Sequence, residues 1–502
     1  PMQKVYWIHI RLQKNKMTKE ETIIIEEDRY KRQTLLWGDD GQAKLNNARV
    51  AVIGLGPQGI YASLCLASLG VGNIVLIDGQ DAKENELFLD MPFAKGPKAK
   101  SLPGLLSQIN RQINVEGYAT DLESRLDQLA LKGTDVIIDA TNSISSKQLA
   151  IAYGREKNIP VLSTSSKWAY TKLILCDPNT NNPHFLMPNF EAQEQDPLMA
   201  LALSGIITEE VKKLIFKDQN FLKNPIRYRL GSGYRFGFPE KGEELERPDS
   251  EIYSKLKVAF LGGGALGCWG AIAASMMGFE RLDVFDYDIF ESHNINRQVL
   301  AYDGVDKEKA LHIAEKILAM SHGKTASTGF NQKILPGFTT EEKYDLVFDF
   351  VDNRYTRAVN SAYGINTKTP LISAGALPNS ARWDVHLEGK TQCMDHLFNI
   401  YEEGRREEMI RRASCALNPN PSVVMSNAIA AVCAVLDTYT IFESEKFGEP
   451  FNGEQTYRSD LSKRFGTNPL KDTCDCYSKP VPDLIVTDEQ VKAFAATTET
   501  TD

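Results

Sequence analysis

Two stretches of this chain share one pattern of apolar and polar positions. "ARVAVIGLGPQGIYASLCLASLG" at 48–70 reads as an apolar strand, a glycine turn and a helical run, and "LKVAFLGGGALGCWGAIAASMMG" at 256–278 repeats it. Short apolar runs bounded by glycine predict buried strands, and longer runs of helical period predict helices. Each copy continues into a second apolar strand ending in aspartate, "NIVLID" at Asp78 and "RLDVFD" at Asp286. Later strands pair off in the same order: "TDVIIDATN" (134–142) with "YDLVFDFVDN" (344–353), and "NIPVLST" (158–164) with "KTPLISA" (368–374). Each copy ends in a long helical pattern, "LMALALSGIITEEVKKLIF" or "VVMSNAIAAVCAVLDTYTIF". The chain therefore reads as a tandem repeat of one α/β unit of roughly 200 residues, a normal size for a domain. Strands alternating with helices imply parallel sheets covered on both faces. The expected organisation is an N-terminal extension at 1–28, a first repeat at 29–230, a polar, Gly- and Pro-containing linker at 231–251, a second repeat at 252–480 and a tail at 481–502. The alternating apolar and basic residues of 1–16 read as an edge strand.

Composition narrows the partners. Of the 502 residues, 42% are hydrophobic and 25% charged, which is ordinary for a soluble globular protein. A net charge of −9 argues against nucleic-acid binding through a basic face. No apolar run approaches the roughly 20 residues that span a bilayer, and the N-terminus lacks the apolar core of a signal peptide. No membrane partner is expected. Eight scattered cysteines suggest a reducing compartment, hence a cytoplasmic protein.

Both glycine turns carry G-x-G-x-x-G, as Gly54, Gly56 and Gly59 and as Gly262, Gly264 and Gly267, and the first glycine lies 24 residues before the aspartate in each copy. Glycines let the backbone approach a phosphate, the helix N-terminus favours its charge, and the acid can hold ribose hydroxyls. That pattern fits NAD and ATP equally. The residues beyond the aspartate separate the copies. Aligning Asp78 with Asp286 sets Gln80 against Asp288, Glu86 against Asn294, Leu89 against Arg297, Asp90 against Gln298 and Asn142 against Asp352, while Lys98 and Lys309 coincide. Arg297 and Lys309 suit a polyphosphate. Asp352 suits Mg²⁺, which binds through one or two carboxylates plus phosphates. NAD chemistry needs no such cluster, whereas ATP chemistry moves charge onto a pyrophosphate leaving group. The second repeat thus reads as the working nucleotide site.

The motifs "GGGALG", "DYD", "NINRQ", "DKEKA" and "FVDN" resemble, in order and spacing, the ThiF/MoeB adenylating enzymes and the activating enzymes of ubiquitin and its relatives. "RYKRQTLLWGDDGQAKL" (29–45) resembles the N-terminal helix of that superfamily, in the form found on the inactive half of eukaryotic-type activating enzymes. The resemblance covers roughly residues 29–480. It implies an α/β fold of two tandem Rossmann-like adenylation domains, one inactive and one active, forming a pseudo-twofold dimer in one chain. It implies an ATP site at Gly262, Gly264, Gly267, Asp286, Asp288, Asn294, Arg297, Gln298, Lys309, Asp352 and Asn353. In it Asp286 would hold the ribose, Asn294, Arg297 and Lys309 the phosphates, and Asp352 the Mg²⁺. Arg32, present only in the first repeat, would cross into that site and act with Arg297 and Lys309 in catalysis. The implied reaction is adenylation of a C-terminal carboxylate.

The resemblance also singles out Cys415, 12 residues before Asn427, as a crossover-loop thiol that would take the acyl group as a thioester. Flanking Arg411 and Arg412 would lower its pKa. "QCMDHLF" resembles a zinc half-site with His396 in place of its second cysteine, and "CDC" falls where the other half belongs. Cys393, His396, Cys474 and Cys476 would then hold a structural zinc ion. The expected partner is a ubiquitin-like protein with an exposed C-terminal carboxylate, followed by a conjugating enzyme. The short spans between Pro378 and Pro421 and after the second repeat leave no room for the large cysteine domain, or for the ubiquitin-fold domain that recruits such an enzyme. The alternative is an adenylating enzyme of the ThiF/MccB type acting on a short peptide or a sulfur-carrier protein.

Overall fold

The computed structural model describes residues 29–178, 195–230, 245–413 and 420–498. The edge strand expected at 1–16 and Cys415 lie outside these residues.

In the first repeat, helix α1 (Lys31–Asn47) leads to β1 (Arg49–Ile53), α2 (Pro57–Leu69), β2 (Asn73–Ile77), α3 (Lys98–Ile109) and β3 (Asn114–Tyr118). Then follow β4 (Val136–Asp139), α4 (Ile144–Lys157), β5 (Val161–Lys167), β6 (Tyr170–Cys176), α5 (Pro197–Phe216) and β7 (Ile226–Arg229). The sheet order is β3-β2-β1-β4-β5-β6-β7, with the first five strands parallel and the last two antiparallel.

The second repeat follows the same path. It runs through β8 (Lys257–Leu261), α6 (Ala265–Ser275), β9 (Arg281–Asp286), α7 (Lys309–Met320), β10 (Gly329–Asn331), β11 (Leu346–Asp349) and α8 (Arg354–Thr367). It continues with β12 (Leu371–Leu377), β13 (Ser380–His386), α9 (Ile400–Ala413), α10 (Val424–Leu436), β14 (Gly453–Arg458) and β15 (Phe465–Pro469). Its order, β10-β9-β8-β11-β12-β13-β14-β15, matches the first sheet with one strand added. The central strands read as continuous apolar runs because both faces of each sheet are covered. Helix α2 ends where Gly70 takes φ +88°, a left-handed cap that stops the helix and turns the chain into β2.

The two repeats share a core. One apolar cluster runs from Val52 and Leu66 through Ile206 to Ile429, Ile272 and Phe260, while the outer face of each sheet has a smaller core of its own. The equivalent helices α5 and α10 meet across the centre. A side chain at Gly205 would lie 2.7 Å from the Met425 carbonyl, so the helix backbones cross closely. All 13 residues of α10 are buried. The helical run Val424–Phe442 is apolar enough to span a bilayer, longer than the sequence reading allowed, and 94% of its most apolar window is buried in this core. The residues of the expected tail include α11 (Asp488–Thr498), which packs on α9.

Candidate nucleotide site

Strand register builds the loop that the glycine motif encodes. β1 pairs Arg49 with Asn73, and β8 pairs Lys257 with Arg281, so each glycine turn leaves its strand beside the following strand's end. The Gly54 N–H donates to the Ile77 carbonyl (2.8 Å) and the Gly262 N–H to that of Phe285 (2.9 Å). Gly262 sits at φ +113°, where a side chain would also meet the Phe350 backbone at 2.8 Å. The aspartates then close both loops. Asp286 accepts from the N–H groups of Gly263 (2.7 Å) and Asp288 (2.8 Å), and Asp78 accepts from those of Leu55 (2.5 Å) and Gln80 (2.6 Å). Burial raises the pKa of both carboxyls, opposed by those amides and by Lys309 or Lys98. Loop closure is therefore a job both aspartates do, and each oxygen keeps a lone pair for a ribose hydroxyl.

What fills the two loops differs. Around Gly264 none of the described residues lies within 4 Å of an added Cβ. At Gly56 the same construction meets the Gln195 Oε1 at 2.6 Å. Gln195 accepts from the Gln58 N–H in the first turn of α2 (3.1 Å), and its amide donates to the Ala140 carbonyl (2.7 Å). The first repeat thus caps its own helix N-terminus, the place where free N–H groups would face a phosphate. Its surviving lysine is also engaged. Lys98 donates to Glu86 (3.0 Å) and to the Leu55 carbonyl (3.2 Å), and Glu86 occupies the position of Asn294.

In the second repeat the polar stretch after β9 folds into a short 3₁₀ turn, Ser292–Asn294, tied by reciprocal hydrogen bonds between Glu291 and Asn294. Arg297 is buried and donates to the His293 carbonyl (2.8 Å) and Asn296 Oδ1 (2.9 Å). Among the described residues no carboxylate pairs with it. Burial pushes its pKa down to about 10; Arg32 pushes the same way and Asp352 opposes. Arg32 arrives from α1 of the other repeat. Its guanidinium lies 3.3 Å from His293 Nε2 and donates to the Asn420 carbonyl (3.3 Å). The neighbouring Gln33 accepts from Asn296 (2.9 Å), seating α1 on this loop. The buried Oε1 of Gln298 has no hydrogen-bond partner among the described residues. Lys309, at the start of α7, pairs with Asp288 (3.0 Å). Asp352 is exposed beyond β11, and among the described residues its hydrogen-bond partner is the Asn353 amide at 3.5 Å. Asn353 caps α8 through the Thr356 N–H (2.8 Å), a structural task that the motif did not disclose.

Three residues here are given no role by the sequence motifs, although Tyr287 is the centre of "DYD". Trp269 is buried on α6 and donates its indole N–H to the Arg297 carbonyl (3.1 Å), fixing the arginine's backbone. Tyr287 is 52% exposed between Asp286 and Asp288, with Lys333 5.1 Å from its ring centre. Gln195 precedes the N-cap of α5 and matches no motif; only its place, just ahead of the late helix, marks it. Other charges near the strand ends are common to both repeats. Arg357 pairs with Asp349 (2.7 Å) and Lys147 with Asp139 (2.9 Å), each also joined by the serine of the next strand. In both repeats these pairs tie the strand end to the following helix and the next strand.

The sulfur ligands also come together. The donor atoms of Cys393, His396, Cys474 and Cys476 all lie within 4.8 Å of one another. The Cys393 sulfur is 3.2 Å from His396 Nδ1 and that of Cys476 is 3.4 Å from it. Three thiols and an imidazole are a donor set that fits tetrahedral zinc. Arg411 and Arg412 have partners of their own. Arg411 pairs with Glu408 (2.6 Å), and Arg412 pairs with Asp488 and the Val486 carbonyl.

Comparison with known proteins agrees with this architecture. The chain matches the ThiF family over residues 30–229 and 242–476. It is 28% identical over 198 residues to the tRNA threonylcarbamoyladenosine dehydratase of Haemophilus influenzae, covering 38% of this chain and 69% of that protein. It is 34% identical over 160 residues to the sulfur carrier protein ThiS adenylyltransferase of Escherichia coli, covering 30% of this chain and 62% of that protein. It is 34% identical over 143 residues to the adenylyltransferase and sulfurtransferase MOCS3 of Anopheles gambiae, covering 27% of this chain and 32% of that protein. The chain thus spans from about a third to about two thirds of the length of these relatives. Among solved structures, Escherichia coli MccB with ATP is 21% identical, covers 44% of this chain and 64% of that chain, and has a TM-score of 0.36. With both segments matched and the glycine-loop fold present twice, the chain belongs to the ThiF family.

Proposed function

We infer that the second repeat adenylates the C-terminal carboxylate of a ubiquitin-like protein, with ATP and Mg²⁺, and that the first repeat is an inactive partner that supplies Arg32. One observation carries this reading: two guanidinium groups, the buried Arg297 and Arg32 from the other repeat, converge beside an open glycine loop, while the corresponding loop of the first repeat is filled by Gln195. In the proposed step a carboxylate oxygen attacks the α-phosphorus, the bond from that phosphorus to the bridging oxygen breaks, and pyrophosphate leaves. Arg297, Arg32 and Lys309 would stabilise the charge that moves onto it. Asp352 would hold Mg²⁺, and Asp286 the ribose. Cys415 would then displace AMP to form a thioester for a conjugating enzyme. The relative named as a sulfur carrier protein adenylyltransferase supports a second reading, in which the adenylated partner is a sulfur carrier or a peptide and no thioester transfer follows.

ATP–pyrophosphate exchange in the presence of a ubiquitin-like protein, a sulfur carrier or a short peptide separates these readings. Exchange with the ubiquitin-like protein, and a reducible adduct that disappears in Cys415→Ala while exchange survives, supports the first. Exchange that survives Asp352→Ala contradicts the site in both.

A further inference from the structure

The first repeat touches the second repeat's site at a second place, far along the chain from Arg32. Leu87–Phe88 and Met91–Pro92 pair as a small hairpin, and Leu89 and Asp90 form its tip. These are the residues that stand in the first repeat where the second has Arg297 and Gln298. Asp90 accepts from the Tyr302 hydroxyl (2.9 Å) and from Lys316 Nζ (2.7 Å), both in the second repeat. Lys316 also donates to Tyr302 (2.9 Å) and to Asp303 (2.9 Å), and His312 Nε2 lies 3.1 Å from both Asp303 and the Leu300 carbonyl.

Both elements that Asp90 grips begin at a candidate phosphate ligand. Tyr302 lies on the 3₁₀ segment Val299–Asp303, which Arg297 and Gln298 immediately precede. Lys316 lies on α7, whose first residue is Lys309. The Asp303–His312 pair already ties these two elements to each other within the second repeat. Asp90 adds a tie from both to the first repeat, which also carries Arg32. The Lys316 side chain is 5% exposed and that of Asp90 17%, so water competes weakly for these bonds.

We propose that Asp90 is a positioning residue for the second repeat's nucleotide site. From its hairpin tip it holds Tyr302 and Lys316, and through them it keeps the Arg297–Gln298 segment and the Lys309 helix end in register with Arg32. Replacing the glutamine by aspartate in the first repeat thus converts a lost ligand into an anchor for the other copy. This inference rests on the reading that the second repeat binds ATP.

The test titrates the full chain with Mg-ATP by calorimetry, alongside nucleotide-free melting curves. The variants are Asp90→Asn, Asp90→Glu, Tyr302→Phe and Arg297→Met. ATP affinity should fall about fivefold in Asp90→Asn and about twofold in Tyr302→Phe, in the range of coupling through shared contacts. The double variant should be no weaker than Asp90→Asn alone, and Asp90→Glu should recover part of the loss. Tyr302→Phe removes one hydroxyl and keeps the test valid where Asp90→Asn folds poorly. If Arg297→Met loses ATP while Asp90→Asn and Tyr302→Phe bind it as wild type does, whatever their melting temperatures, the positioning role is overturned and the site stands. If Arg297→Met binds ATP normally, the site itself is overturned and the role falls with it.

Discussion

Replacing Arg297 by methionine should leave the nucleotide-free protein about as stable and abolish its response to ATP. The guanidinium is buried, and burial holds its pKa down at about 10, well below the ordinary arginine range. A base whose pKa is lower in the fold than in the unfolded chain binds its proton less well when folded. Its charge therefore costs stability at every pH below about 10, and the cost fades only as pH rises from there toward the ordinary arginine pKa. At ~1.4 kcal/mol per tenfold change in proton affinity, that cost is ~3 kcal/mol at neutral pH. Methionine keeps much of the apolar stem. It gives up hydrogen bonds to the His293 carbonyl and Asn296 Oδ1, worth ~1.5 kcal/mol each because the donor is charged. The two contributions nearly cancel, leaving a net change within about 1 kcal/mol of zero, constant between pH 6 and 9. Unfolding midpoints with and without Mg-ATP measure both halves of the prediction. Wild type should gain ~2.7 kcal/mol at a hundredfold excess of ATP over its Kd, and the variant should gain nothing. A variant that melts several degrees lower without nucleotide, or that responds fully to ATP, would refute the reasoning: the arginine would then be serving the fold and not an anion.

Arg32 is half-buried and makes two contacts at 3.3 Å, so Arg32→Ala should change stability by less than ~0.5 kcal/mol. Pyrophosphate exchange by the same variant should drop about a hundredfold or more, the scale seen when a charge-stabilising donor is removed. Gln195→Ala strips the Gln58 N–H and the Ala140 carbonyl of their partner and should cost ~1–3 kcal/mol in urea unfolding. It should create no second ATP site, because Leu89 stands where the second repeat has Arg297. Elemental analysis should find zinc at about one ion per chain, fitting the four-donor cluster. Chelation or Cys474→Ser should lower the melting temperature while Mg-ATP stoichiometry stays the same.

Much of this arrangement is legible in the sequence where local pattern and register coincide. The 24-residue interval from glycine to aspartate is the β1–β2 and β8–β9 register itself, so the motif spacing encodes the loop geometry. The Cys-x-x-His and Cys-x-Cys spacings likewise predict the cluster that the fold assembles from distant segments. Long-range fillings are less visible. Gln195 reaches the first glycine loop from a segment well over a hundred residues away, and no residue type or spacing announces it. Lys98 looks like a retained ligand until Glu86 is seen holding it. Asn353 looks like part of a nucleotide motif, and its side chain is spent capping α8. The arginines before Cys415 look like free cations, yet Glu408 and Asp488 take both. Gln195 and Arg412 find their partners through tertiary packing, which periodicity does not reveal, whereas Asn353 and Arg411 are engaged within their own helices.

The central claim is one nucleotide site per chain, in the second glycine loop. Gly56 and Gly264 both sit at negative φ, so a valine at either tests space rather than backbone strain. Calorimetric titration of Mg-ATP into wild type, Gly264→Val and Gly56→Val is the most direct measurement. One site in wild type, lost in Gly264→Val and retained in Gly56→Val, is the predicted result. Two sites, or a single site lost in Gly56→Val and kept in Gly264→Val, would contradict it.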